Sequence, residues 1–352
     1  MDGVSLTIDA GVTVLFSQDV YLKALSGGTL IAQGTESDSI YFTVTDTNTV
    51  TNTEGIEFAS GAVGSTVQND TIYVSGSVFD YCVFQHFITT GGGAISSSDV
   101  SLLYKNCSFL NNQSGNGGAL DMSASNTTFY KVNFMGNSSS LGGSIYIHSG
   151  SSNKNIRIIN CIAKNNVASS KGGFYLSGES GSYATHPNIF IESSYFLNNE
   201  AGTGGAFHVA TAWGEEFEIN NSFFIGNKAT SGSGGAGYFY TWHPSYQISN
   251  CIFQDNEATG TGGALSLNQR HTTWSADYES FVINSIFNNN QASGASVIYS
   301  DIGSSLSWDN NRKLTLNSNI FYNNTAQGSG EDGKLIHSTN DLFIYNNHMI
   351  EY

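Results

Sequence analysis

The chain predicts an all-β fold, a right-handed parallel β-helix solenoid of about ten or eleven coils. Three observations point there. First, a phrase recurs about every 25 to 34 residues, as from Phe109 to Phe134 and from Phe253 to Phe287. It reads Phe-x-x-Asn, a few small or polar residues, then Gly-Gly-Ala and an apolar residue. Second, helix patterning is missing. The 352 residues include 40 Gly, and charged residues make up only 11%, too few for the Glu/Lys pairs that support surface helices. Third, short runs such as Ile145-Tyr146-Ile147, Phe217-Glu218-Ile219 and Leu314-Thr315-Leu316 carry the period of two of a strand, and only 2 prolines interrupt a ladder. At ~4.8 Å per coil the tube would be about 50 Å long.

Residues 1–90 read as irregular opening coils. Val4–Ile8, Val12–Phe16, Gly28–Ala32 and Ile40–Thr43 are strand-like and are parted by Gly, Asp and Ser turns. Residues 91–352 read as regular coils of the same solenoid. A single array need not split into domains, because each coil touches only its neighbours.

Within the repeat, the Phe position is held by Phe109, Phe134, Phe196, Phe224, Phe253, Phe287, Phe321 and Phe343, with Ala163 once. Three residues on stand Asn112, Asn137, Asn166, Asn199, Asn227, Asn256, Asn290, Asn324 and Asn346. Stacked phenylalanines would bury area along the axis. Stacked asparagines could pass an amide hydrogen bond from coil to coil and satisfy turn backbone that would otherwise be stranded. The glycine pairs, such as Gly117-Gly118 and Gly262-Gly263, supply positive φ or close approach of neighbouring coils.

The pairing of Gly-Gly-Ala-(Ile/Leu/Val) with Phe-x-x-Asn resembles the repeats of chlamydial polymorphic outer-membrane proteins. The opening, Leu6-Thr7-Ile8-Asp9-Ala10-Gly11-Val12-Thr13-Val14 through Gly28–Thr35, is similar to the first coils of secreted β-helix proteins. The resemblance spans nearly the whole chain. It implies an extracellular or cell-surface β-helix, often an adhesin passenger, though fold analogy alone supplies no function.

The net charge of −16 provides no basic stripe, which argues against nucleic acid as a partner. No run of eighteen apolar residues is present to span a bilayer. Candidate partners are a glycan or a surface protein. The last residues still follow the repeat, so end-to-end self-association or continuation in a longer chain is expected. Cys82, Cys107, Cys161 and Cys251 all lie two residues before the Phe position, a small inward site, and are expected to be free thiols. Neither a metal nor another cofactor is implied. Cys-x-x-Cys is absent, and Gly117-Gly118-Ala119-Leu120-Asp121 fails the calcium nonapeptide by lacking its third glycine.

Chemistry is expected where the coils differ, in the insertions after the glycine pairs between residues 177 and 313. All four tryptophans fall there. Trp213, Trp242, Trp274 and Trp308, with Tyr278, form a candidate glycan- or protein-binding strip. The plainer reading is that these rings seal the flank of the tube. The acids of the same segments, Glu215, Asp277, Glu279 and Asp309, could serve a polysaccharide hydrolase or lyase. No paired-aspartate or Gly-His-Gly phrase accompanies them, and solvated loop charges explain them more simply. The sequence therefore favours a non-catalytic structural or adhesive surface protein, possible filament stacking included, with a carbohydrate-active enzyme as the alternative.

Overall fold

The computed structural model describes residues 2–123, 125–148, 154–177, 187–211, 216–241, 245–269, 278–294, 296–301, 312–327, 335–338 and 341–350. Among these residues the regular secondary structure is entirely strand. Each coil contributes one strand to each of three sheets. The first sheet runs from Ser5–Ile8 to Asp341–Tyr345, the second from Thr13–Phe16 to His348–Ile350 and the third from Tyr21–Ala24 to Ile336–Ser338. The first two sheets hold 12 strands and the third 11, paired in parallel throughout. The protein is therefore a parallel β-helix, with eleven coils complete and a twelfth begun. A narrower sheet of 7 short strands, from Ser138–Leu141 to Thr325–Ala326, carries the chain from the second sheet to the third.

The phenylalanines face inward from the second sheet and stack in register. Phe42, Phe84, Phe109 and Phe134 form one run, and Phe196, Phe224, Phe253, Phe287 and Phe321 another. Ring centroids within each run lie 4.7 to 5.3 Å apart, and their planes are nearly parallel. The runs are interrupted at Ala163. There Phe174 of the third sheet enters the space, edge-on to Phe134 at 5.4 Å and to Phe196 at 5.5 Å. The small residue and the extra ring compensate in volume, as a close-packed interior requires.

The asparagines form a continuous ladder from Asn112 to Asn324. Asn166 shows the pattern. Its Oδ1 accepts from both the backbone N–H and the Nδ2 of Asn137, each at 3.0 Å, while its own Nδ2 donates to Phe134 O and to Asn199 Oδ1, each at 2.9 Å. Every hydrogen-bonding atom of a fully buried amide is thus used. The same links join 112 to 137, 199 to 227, 227 to 256, 256 to 290 and 290 to 324.

Left-handed corners bracket the second sheet. Before it stand Asn106, Asn160, Ser193, Asn221, Asn250 and Asn284, with φ between 50 and 55°. After it stand Asn111, Asn165, Asn198, Asp255 and Asn289, in the same range. Asn and Asp tolerate this region better than other residues with a Cβ. In the glycine pairs the two members differ. Gly117 has φ +54°, whereas a Cβ on Gly118 would meet Gly143 O at 2.3 Å.

Two readings of the repeat need correction or extension. Phe343 belongs to the first sheet, opposite Thr315, and Met349 follows Phe321 in the second. Asn346 is accordingly a left-handed corner with φ 52°, outside the ladder. The opening also contains an element the repeat does not announce, an antiparallel hairpin of Thr66–Gln68 and Ile72–Ser75. It crosses the outer face of the first sheet, where Val78 and Leu103 are fully buried although they alternate with the inward Phe79 and Tyr104. Asp70 at its tip pairs with Arg157 at 2.9 Å. All four cysteines are free and buried, and burial pushes the Cys161 and Cys251 thiols up to about 12.

Asn166→Ala strands two donors on Asn137 and is expected to cost about 2–6 kcal/mol at roughly 1–3 kcal/mol per unsatisfied group. Asn165→Gly keeps the left-handed corner and is expected to stay within about 1 kcal/mol of wild type. Urea unfolding of the two variants checks the contrast.

Candidate functional site

The third sheet carries the most chemistry-bearing outer face among the described residues. Its strands alternate buried apolar residues, such as Ile145 and Ile147 or Phe174 and Leu176, with residues that project away from the tube. Register then aligns the projecting residues. Asp121 pairs with Tyr146, Tyr146 with Tyr175, Tyr175 with His208, and His208 with Tyr238. Tyr299 and His337 extend the column beyond Ser266. Toward the start of the chain it continues through Ser96 to Glu57, which is ion-paired with Lys23 at 2.7 Å.

The rings pack along the axis. Tyr146 and Tyr175 stack at 5.2 Å, Tyr175 meets His208 edge-to-face at 5.1 Å, and His208 lies 4.8 Å from Tyr238. The stacked Tyr146 and Tyr175 turn their faces to one another, so this part of the column presents edges and polar rims. Lys171 extends the face from the neighbouring narrow sheet; its Nζ lies 5.2 Å from the centre of the Tyr175 ring and donates to the Tyr175 hydroxyl at 3.4 Å.

His208 is the unusual member, an imidazole only 4% exposed on an outward-facing position. Burial, then the Lys171 charge, pulls its pKa down to about 3, against the opposing effect of the Thr203 carbonyl. The ring is therefore neutral at ordinary pH. Nδ1–H donates to Thr203 O at 3.3 Å, which leaves Nε2 as the acceptor nitrogen.

At the end of the column nearer the chain start, an open cleft of about 270 Å³ is lined by Ser96, Ser97, Ser98, Asp121, Ser123 and His148. Asp121 and Ser123 project from one strand, and His148 faces Ser123 from the next. The His148 Nε2 is in hydrogen-bond contact with Asp121 Oδ1. Ser123 Oγ accepts from the Asp99 backbone N–H at 2.6 Å. Gly92 sits so close above Asp121 that a Cβ there would meet the Asp121 Cβ at 2.6 Å. The cleft thus offers hydroxyls, one carboxylate and one imidazole, a set that can hydrogen-bond a polyhydroxylated ligand and exchange a proton. Among the described residues no three His, Cys, Asp or Glu converge as a metal site.

The sequence-based candidates lie elsewhere. Trp213, Trp242, Trp274 and Trp308, with Glu215, Asp277 and Asp309, fall outside the described residues. Tyr278 opens the first-sheet strand Tyr278–Ile283, opposite Arg312. Glu279 is exposed on that strand; its Oε1 accepts from Thr315 Oγ1 at 3.2 Å and its carbonyl from Ser245 Oγ at 3.1 Å. Sequence reasoning missed the third-sheet column. Its signal was the residue immediately after each Gly-Gly-Ala-apolar phrase or its variants, which is Asp121, Tyr146, Tyr175, His208 and Tyr238 in five successive coils.

No protein-family profile and no curated protein sequence matches the chain. The solved structures that match the chain include two distant ones. One is the catalytic domain of a GH87 α-1,3-glucanase in complex with nigerose, at 14% identity and a TM-score of 0.49, matched over 99% of this chain and 61% of the other. The second is a GH136 lacto-N-biosidase from Eubacterium ramulus, at 10% identity and a TM-score of 0.26, over 98% of this chain and 63% of the other. This chain thus spans about three-fifths of the length of the structures it matches. Likenesses this distant carry no argument about activity, and the third-sheet geometry has to supply one.

Between pH 6.5 and pH 4 an unfolded chain protonates His208 while the folded one does not, so this group lowers stability as pH falls. His208→Gln is expected to lose less of its melting temperature than wild type across that window, as differential scanning calorimetry would show.

Proposed function

We propose that this β-helix is a carbohydrate-active protein that holds a glycan chain along the outer face of its third sheet. The observation that carries the reading is the unbroken column from Ser96 through Asp121, Tyr146, Tyr175 and His208 to Tyr238, opening at one end into the serine-lined cleft. A protein that served only as shape would gain nothing from a carboxylate–imidazole pair in an open cleft, since buried Phe and Asn columns already hold the tube. This reading keeps the glycan binding expected from the sequence, moves it from the tryptophan-bearing insertions to the third sheet, and takes up the carbohydrate-active alternative. The extracellular or surface location and the kinship with the chlamydial repeats belong to the same proposal.

A hydrolytic activity is the second reading, favoured by the Asp121–His148 contact at the cleft. In it Asp121 would act as acid or base on a glycosidic oxygen. Calorimetric titration against a panel of soluble α- and β-glucans, chitin oligosaccharides and uronans tests binding. Tyr146→Ala and Ser96→Leu are expected to weaken binding about tenfold or more, or about 1.4 kcal/mol, with melting temperatures nearly unchanged. Equal binding by wild type and both variants contradicts the site. Reducing-end release that Asp121→Asn abolishes and Glu279→Gln spares supports hydrolysis at the cleft; the opposite pattern moves the chemistry to the first sheet.

A further inference from the structure

The second sheet presents a different outer face. Its strands are three residues long, with the central Phe inward and both neighbours outward. In one outward column stand Ile162, Tyr195, Phe223, Ile252, Ile286 and Ile320, in unbroken register over six coils. Tyr195 and Phe223 stack at 4.7 Å with planes 4° apart. The parallel column beside it holds Leu197 and Ile225. Each side chain is partly covered by those above and below it, so single exposures are moderate while the strip as a whole is apolar.

Charge distribution narrows what the strip can meet. The chain has 28 acidic and 12 basic residues, yet Lys164 is the one charged residue among the outward positions of this sheet from Ser108 to Tyr322. The rim is polar, with exposed corner asparagines on both sides and the Lys228–Glu257 ion pair on the adjoining narrow sheet. An apolar centre inside a polar rim is the anatomy of a protein interface. Two copies carrying −16 each repel least when they approach through this almost uncharged face.

Period completes the argument. The ridges repeat with the coil spacing of about 4.8 Å, and a partner of another period would drift out of step within a few coils. A second copy has the same ridges at the same spacing, so two strips interdigitate along their full length, as in face-to-face sheet packing. We infer that the second-sheet face is a self-association surface, on which a second copy of this chain docks side by side about a two-fold axis. This is lateral contact, distinct from end-to-end stacking. The strip is about 25 Å long and roughly 10 Å wide, well under the roughly 800 Å² per partner of a standard stable interface. The dimer is therefore reversible and concentration-dependent.

Sedimentation equilibrium from about 10 to about 500 µM, at about 0.15 M and about 0.5 M NaCl, tests it. The expected result is a monomer–dimer equilibrium that tightens with salt, because the contact is apolar and the copies are like-charged. Phe223→Thr and Ile252→Thr retain strand propensity at outward positions and should weaken dimerisation about tenfold or more with unchanged melting temperature. Tyr146→Ala on the third sheet should leave dimerisation untouched, which keeps this inference separable from glycan binding. A monomer at the highest concentration, or a dimer indifferent to both Thr variants, overturns the inference. So does a monomer whose second-sheet face captures phospholipid vesicles or insoluble polysaccharide.

Discussion

In the ladder asparagines between Asn137 and Asn290, each amide oxygen accepts twice and each amide nitrogen donates twice, and every one of these bonds crosses to a neighbouring coil. A buried amide tolerates no lesser arrangement, because every unmet donor or acceptor costs free energy that the interior cannot return. The requirement sets the stacking distance and the register at the same time. It holds the turn backbone where the chain leaves the second sheet, and it places the Phe position directly above its counterpart. The aromatic runs follow from that placement, and the Ala163–Phe174 exchange shows how tightly the remaining volume is conserved.

Once the inner columns are held by amides and rings, the outward positions are free to differ between sheets. The three outer faces have taken separate characters. The first is partly roofed by the hairpin, with Asp70 reaching Arg157 and that guanidinium lying 4.6 Å from the Phe190 ring centre. The second is apolar and almost uncharged. The third gathers the hydroxyls, imidazoles and phenols, with a neutral His208 that donates to the Thr203 backbone carbonyl. Parallel stacking is what makes a face of this kind: a residue repeated at one position in successive coils becomes a row about 4.8 Å in pitch, which suits an extended polymer or an identical partner.

Much of the architecture was legible in the sequence because the inner columns demand particular residues at fixed intervals. Phe-x-x-Asn and Gly-Gly-Ala are visible for that reason, and they led to the fold. The two adjacent asparagines, such as Asn111 and Asn112, were harder to tell apart: one is a left-handed corner at φ 54°, the other the ladder amide, and their chemistry alone is the same. The tail was misaligned for a related reason, since Phe343 and Asn346 imitate the phrase at a different point of the coil. The third-sheet face was missed because outward residues vary in type. Asp121 read only as a mismatch to a calcium motif, and Tyr146 only as part of an alternating strand. The hairpin hid behind the Asn69–Asp70 doublet, two consecutive left-handed residues at φ 49 and 64°.

The account stands or falls on whether the asparagine side chains are sequestered in a continuous ladder. Proton exchange of side-chain amides in a protein labelled with ¹⁵N at asparagine measures this directly. The account predicts that the Nδ2 protons of Asn137, Asn166, Asn199, Asn227 and Asn256 exchange only through global unfolding, while those of the corner residues Asn165, Asn198 and Asn284 exchange at the rate of exposed amides. Rapid exchange of the first group, on the same timescale as the second, would contradict it.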